Sequence, residues 1–216
     1  VYPIFTQLFV YSGLILYHFG FEQREKRFIK GAFSQYLAPT VVNQLVDNPD
    51  FLKLGGERRE ITAFFSDVAG FSSISEKLEP EKLVKLLNDY LTKMTDIILK
   101  YEGTVDKFEG DAIIAFFGAP LIFKDHALRS CLVSVEMQEC LEIMRAEWRA
   151  QGEPELFMRI GVNTGPAVVG NMGSTTRLDY TMMGDSVNLA ARLEGVNKQY
   201  KTYTMISEST YEQAKD

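Results

Sequence analysis

Apolar and polar positions change their period several times along the chain. From Glu81 to Tyr101, apolar residues fall at 83, 86, 87, 90, 94, 97, 98 and 101. That is one stripe of an amphipathic helix, and Gly103 supplies its stop signal. A second long amphipathic helix is predicted from His126 to about Trp148, ended by Gln-Gly. Between Ile61 and Ser66, ITAFFS is apolar, β-branched and aromatic, which predicts a buried strand, with LGGERRE as the loop leading into it. FSSIS then starts a helical stretch. VDKFEGDAIIAFFG (Val105 to Gly118) reads as two strands around a Glu-Gly-Asp turn, and LFMRIGVNTGPAVVGNMG as two strands around Thr-Gly-Pro. After a polar loop, GDSVNLAARLEGV starts a third helix, TYTMIS is a short strand, and the last residues are helical in pattern. The order predicts an α+β sandwich, with helices packed on a mainly antiparallel sheet.

The first part of the chain has a different pattern. Residues 1–21 contain no Asp, Glu, Lys or Arg, and about 20 mainly apolar residues suffice to cross a bilayer. EQREKRFIK follows at once, and basic residues just past an apolar span mark its cytoplasmic side. The expectation is a transmembrane helix end over 1–21 and a helical coupling and dimerisation segment over 22–54, in which Pro39 restarts a helix and Pro49 ends it. The mixed α/β domain then occupies 55–216. With Val as first residue, this is read as a piece of a longer protein, anchored in an inner or plasma membrane with its α/β domain in the cytoplasm.

Composition narrows the functions. At 46% hydrophobic residues the chain can bury a sizeable core. A net charge of −6, from 23 basic and 29 acidic residues, argues against nucleic acid as a partner. It also means that a polyanionic substrate must be met by local cations or metal. Cys131 and Cys140 have neither CxxC spacing nor nearby His, so they read as buried free thiols.

Several polar residues stand where a domain could do chemistry. Asp67 follows ITAFFS and Asp111 follows Glu-Gly; converging strand ends would let two carboxylates share hard divalent cations. Taken singly, the plainer reading prevails for each: Asp67 as cap of the following helix and Asp111 as a turn residue. VAGFSS after Asp67 leads into a helix, whose N-terminal N–H groups suit phosphate. There is no GxxxxGK[ST] and no GxGxxG after a strand. Asn188 and Arg192 lie four apart on one helix face, with a pairing of Arg192 to Asp185 or Asp179 as the plainer reading. Thr181 could be an ordinary strand residue. Lys107 sits in an apolar strand and needs a partner or a task, the plain option being an ion pair with Asp106, Glu109 or Asp111.

Together, FSDVAGFSSISE, VDKFEGDAIIAFFGAP, MRIGVNTGPAVVGNMG and LDYTMMGDSVNLAARLE resemble one family, the class III nucleotidyl cyclases, in its order and spacing from about Leu54 onward. FIKGAFSQYLAPTVVNQLV resembles the segment that joins sensor domains to bacterial, membrane-anchored cyclases. The resemblance implies a ferredoxin-like, palm-type sandwich, an upstream sensor, and a homodimer with two sites at the subunit interface. It implies Asp67 and Asp111 as ligands of two divalent cations, Mg²⁺ or Mn²⁺, with the backbone at Val68, Ala69, Gly70 and Phe71 touching metal and phosphates. Lys107 and Thr181 match the pair that reads the base, Asn188 the residue that orients the ribose, and Arg192 the one that stabilises the transition state. The aspartates would come from one chain and the other four from its partner, so the Val105–Gly118 hairpin would serve two sites. Lys offers only donors and a Thr hydroxyl can accept, which complements adenine, so ATP is expected over GTP. The expected activity is conversion of ATP to cyclic AMP and pyrophosphate. The rivals are a catalytically weak nucleotide-binding regulatory module, a cyclase with relaxed ATP/GTP choice, and a cyclic-dinucleotide cyclase, the last disfavoured by the absence of a GGDEF-type run. The family's triphosphate-gripping Lys lies in a C-terminal strand motif that Asp216 precedes, so the end of the domain is expected to be missing.

Overall fold

The computed structural model describes residues 54–174 and 176–215, together with Tyr11. The expected membrane span over 1–21 and coupling segment over 22–54 lie outside the described residues, save Tyr11 and Leu54. Among the described residues no helix is long and apolar enough to cross a membrane.

The chain runs β1 (Gly55–Val68), α1 (Phe71–Ser75), α2 (Pro80–Lys100), β2 (Thr104–Glu109), β3 (Ala112–Phe117), α3 (His126–Gln151), β4 (Met158–Gly173), β5 (Leu178–Met183), α4 (Asp185–Tyr200), β6 (Thr204–Ile206) and α5 (Glu208–Ala214). The strands form one sheet in the order β2-β3-β1-β4-β5, with β6 beside β4. Every pairing is antiparallel except β4 with β6. This is the α+β arrangement expected, with a mainly antiparallel sheet.

Three local expectations are corrected. LGGERRE is not a loop before β1: the strand already begins at Gly55 and pairs with β4 from Gly55↔Asn171 to Val68↔Met158. LFMRIGVNTGPAVVGNMG is not two strands but one, since Met158–Gly173 runs unbroken through Thr-Gly-Pro. Pro166 is tolerated because it falls between the stretches where the outer edge of β4 pairs with β6 (160–162) and with β5 (168–173), so no ladder hydrogen bond is lost there. The polar stretch before the third helix contains a strand, β5, recruited by that same edge.

Side chains alternate across the sheet. Phe64, Ile113, Ala115, Phe117, Ile160 and Val162 join Leu86, Tyr90, Met94 and Ile98 of α2 and Val133, Met137, Leu141 and Met144 of α3 in one core. Each Val, Leu, Ile, Phe and Met side chain among them contributes about 1.5–3 kcal/mol when fully buried. The intervening β4 positions, Gly161 and Asn163, face α4: the Asn163 amide donates to the Ser186 carbonyl at 2.7 Å.

A buried polar chain runs along the sheet face that carries α3, from His126 at the start of that helix to Thr210 of α5. His126 Nδ1 and Thr62 Oγ1 are 2.8 Å apart, Thr62 and Thr164 hydroxyls 2.8 Å, and Thr164 and Thr210 hydroxyls 3.0 Å. Burial holds the His126 pKa below its ordinary value, against the opposing pull of Glu60 and Asp125. The unfolded chain therefore takes up a proton at higher pH than the folded one. The stability this confers is fully present above about pH 6.5 and is lost as pH falls below it toward the folded pKa. Thermal melts from about pH 8 to about pH 5 should show Tm falling over the acid half of the range, and His126→Gln should flatten that fall. Parallel profiles for the two proteins would show that His126 does not contribute.

Candidate active site

Asp67 is the penultimate residue of β1, and Asp111 stands in the turn just before β3, next to Gly110 with its φ of 66, a left-handed conformation that suits glycine. Pairing of Ser66 with Ile113 sets the two strand ends side by side. Asp111 Oδ2 accepts a hydrogen bond from the Val68 N–H at 3.0 Å. Burial pushes the Asp111 carboxyl up, the Val68 N–H pulls it down, and neighbouring Asp67 pushes it up again. The convergence of the two carboxylates expected from strand ends is thus present within one chain.

Asp67 has a partner that sequence reasoning missed. Arg159, its register partner on β4, donates from Nη2 to Asp67 Oδ2 at 2.6 Å and from Nε to Glu194 Oε1 of α4 at 2.8 Å. Arg159 is held between two acids with its side chain 16% exposed. It offsets part of the negative charge that Asp67 and Asp111 concentrate, and it fixes the Asp67 carboxylate from one side. The sequence signal existed, a cation within MRIGV opposite FSDV, but it becomes legible only once the β1–β4 register is known.

Lys107 is explained by an irregularity in β2. Val105 pairs with Ala115 and Lys107 with Ile114, so Asp106 is an extra residue, a β-bulge. In a regular strand, successive side chains point to opposite faces. The bulge lets Asp106 and Lys107 approach instead, with Lys107 Nζ 3.5 Å from Asp106 Oδ1. Of the three acids considered for Lys107, Asp106 is the one it meets. The sheet also curls. Phe116 of β3 and Tyr180 of β5 have ring centroids 6.0 Å apart although β1 and β4 lie between their strands. The edge strands β2 and β5 therefore meet, and the Thr181 hydroxyl donates to Asp106 Oδ2 at 2.5 Å. Lys107 and Thr181 are brought together around the Asp106 carboxylate, which meets both the ammonium and the hydroxyl. Two consecutive charged residues in an otherwise apolar strand were the available sign of the bulge.

Asn188 and Arg192 lie one turn apart on α4, and both are exposed. Arg192 Nε donates to the Asn188 carbonyl at 3.3 Å, rather than to Asp185 or Asp179. The opposite side of α4 carries buried Val187, Ala190 and Asn197, and Glu194 bound to Arg159. Within one chain, Asn188 and Arg192 therefore point away from the Asp67–Asp111 pair. The half-buried Cys131 and Cys140 are free, and burial raises both thiols.

Residues 56–216 match the family described as "Adenylate and Guanylate cyclase catalytic domain". The chain belongs to this cyclase family. Adenylate cyclase 1 of Rhizobium meliloti (strain 1021) is 38% identical over 184 residues, 85% of this chain but 28% of its own length. The chain thus spans little more than a quarter of that relative. The adenylyl cyclase CyaB from P. aeruginosa is 44% identical with a TM-score of 0.70, covering 76% of this chain and 84% of that one. The guanylyl cyclase Cya2 is 45% identical with a TM-score of 0.69, covering 76% and 82%. Similarity alone therefore leaves the base undecided.

Cyclases of this class use divalent metal ions. The cyclase domain fits them: two carboxylates brought side by side, raised by burial and mutual repulsion at Asp111, offer hard oxygen ligands to a cation such as Mg²⁺. Among the described residues no group of three or more His, Cys, Asp or Glu gathers as a metal site. A site of this kind draws its remaining ligands from water and phosphate oxygens.

Proposed function

We propose that this chain is the catalytic domain of an adenylate cyclase, converting ATP to 3′,5′-cyclic AMP and pyrophosphate in a homodimer with its sites at the subunit interface. The observation that carries the base preference is the meeting of Lys107 and Thr181 where the curled sheet brings β2 to β5. An ammonium donor beside a hydroxyl acceptor complements N1 and the 6-amine of adenine and mismatches N1–H and O6 of guanine.

The ribose 3′-oxygen attacks the α-phosphorus, the bond to the β-phosphate bridging oxygen breaks, and pyrophosphate leaves. Two ions, Mg²⁺ or Mn²⁺, held by Asp67, Asp111 and the Val68 backbone would lower the pKa of the 3′-hydroxyl and neutralise the triphosphate. Asn188 of the partner protomer orients the ribose. Arg192 beside it meets charge that grows on the phosphate during displacement, so it acts on turnover more than on affinity. The Val68 and Ala69 N–H groups are committed to Asp111 Oδ2 and to the Phe157 carbonyl, so the phosphate contacts expected of residues 68–71 fall to Gly70 and Phe71. Support for the homodimer comes from the outward aspect of Asn188 and Arg192, and from exposed apolar side chains on β4, β5 and α4. Val168 and Met183, register partners on β4 and β5, are 40% and 64% exposed, and Leu189 between Asn188 and Arg192 is 38% exposed. The charge-free run over 1–21 supports attachment to an inner or plasma membrane, with the cyclase in the cytoplasm downstream of a sensor.

The test is cyclic AMP against cyclic GMP formed from Mn-ATP and Mn-GTP. ATP should be favoured, by up to about 10⁴-fold in kcat/KM. Lys107→Glu should remove that preference and also lower Tm, because it leaves two carboxylates side by side at the bulge. A wild-type preference for GTP would overturn the base assignment, and absence of either product would favour the regulatory-module reading.

A further inference from the structure

A threonine hydroxyl is ambiguous as a reader of purines. It carries one O–H donor and two acceptor lone pairs. Free to rotate, it accepts from the 6-amine of adenine or donates to O6 of guanine with similar ease. At Thr181 that freedom is removed. Its O–H is directed at Asp106 Oδ2 at 2.5 Å, and a charged acceptor outcompetes a neutral carbonyl for a proton. What Thr181 still offers a ligand is its lone pairs.

We infer that Asp106 is a positioning residue, which fixes the Thr181 hydroxyl as a hydrogen-bond acceptor and so makes the Lys107–Thr181 pair select a 6-aminopurine. The inference rests on the adenylate cyclase reading above and adds the device that sets its selectivity. Three features of the fold converge on it. The bulge between Val105 and Lys107 places Asp106 beside Lys107, where a regular strand would send it to the other face. The Asp106 side chain is only 3% exposed, so water does not compete for its oxygens. Its Oδ1 is buried without a hydrogen-bond partner and has the Lys107 ammonium at 3.5 Å. One carboxylate therefore draws both readers toward itself. It leaves Lys107 as the donor and Thr181 as the acceptor, in fixed relation.

Asp106→Asn is the direct test, because the asparagine amide can turn its NH₂ to Thr181 and release the hydroxyl proton toward the base. The ATP/GTP ratio of kcat/KM should fall about tenfold, the scale of one hydrogen bond, mainly through a gain with GTP. In a Thr181→Val background the same change should leave the ratio where Thr181→Val alone puts it, whereas Thr181→Ser should keep the wild-type ratio. A merely structural role for Asp106 would depress both substrates in proportion and overturn the inference, while the wild-type preference for ATP stood. A wild-type preference for GTP would instead remove the underlying reading and this inference with it. A second measurement needs no variant. The triphosphate of 6-methoxypurine riboside keeps N1 as an acceptor but presents an ether oxygen at position 6. The wild-type protein should bind it about tenfold more weakly than the unsubstituted purine riboside triphosphate, and equal affinity would show that Thr181 is free to donate.

Discussion

Mixing Asp67→Asn protein with Arg192→Ala protein should restore cyclase activity that neither has alone. Each single variant should lose at least about 10²–10³-fold in kcat: one loses a metal-holding carboxylate, the other a donor aimed at the developing charge. The structure makes the pair informative. Asp67 lies against Arg159 and Glu194 on the sheet side of α4, and Arg192 projects from the other side of the same helix. If sites form between two copies, a mixed dimer holds one wild-type site and one doubly defective site. Random pairing then gives about a quarter of wild-type activity. Asp67→Asn keeps an oxygen to accept from Arg159, so the fold is spared and loss of activity reads the site. Mixed dimers that demonstrably assemble and stay inactive would end the shared-site proposal.

How much of this was legible in the sequence depended on whether the information was local. The helices α2 and α3 and the β2–β3 hairpin follow from periodicity and turn residues, and their observed bounds lie close to those expected. The length of β4 was not legible, because Thr-Gly-Pro is a strong local turn signal. It was overridden by continuous pairing with β1 and by an outer edge left unpaired at Pro166. The strand β5 was missed because LDYTMM gains its register from β4, not from its own pattern. In the candidate site, Asp67, Asp111, Lys107, Thr181, Asn188 and Arg192 stand out by residue type and position, and a family resemblance supplies their roles. Arg159, Glu194 and Asp106 were not given roles. Their contacts span 92, 35 and 75 residues of sequence and depend on strand register and sheet curl. Residues that hold the site's readers in place are visible only after the sheet is assembled.

Gly161→Ala should be among the most damaging small substitutions in the domain. A Cβ on Gly161 would stand 2.2 Å from the Glu194 amide nitrogen, 2.3 Å from the Ala190 carbonyl oxygen and 2.9 Å from Glu194 Cα. All three are backbone atoms of α4, so no rotamer change relieves the clash and the helix itself must move off the sheet. That movement strains three attachments at once: Asn163 to the Ser186 carbonyl, Asn197 to the Ile160 carbonyl at 2.8 Å, and Arg159 to Glu194. Overpacking costs about 1–3 kcal/mol, and weakening a buried hydrogen bond adds about 1 kcal/mol for each. A total of about 4–6 kcal/mol corresponds to a fall in Tm of about 8–24 °C for a domain of this size. Activity should fall further than stability, because α4 carries Asn188 and Arg192 and its displacement misplaces both. Gly195 on the same helix is the control. A Cβ there meets nothing within 4 Å, so Gly195→Ala should be neutral or raise stability by up to about 1 kcal/mol through helix propensity. Equal melting temperatures for the two alanine variants would mean that α4 is not seated against Gly161, and the placement of Arg192 derived from that seat would fall with it.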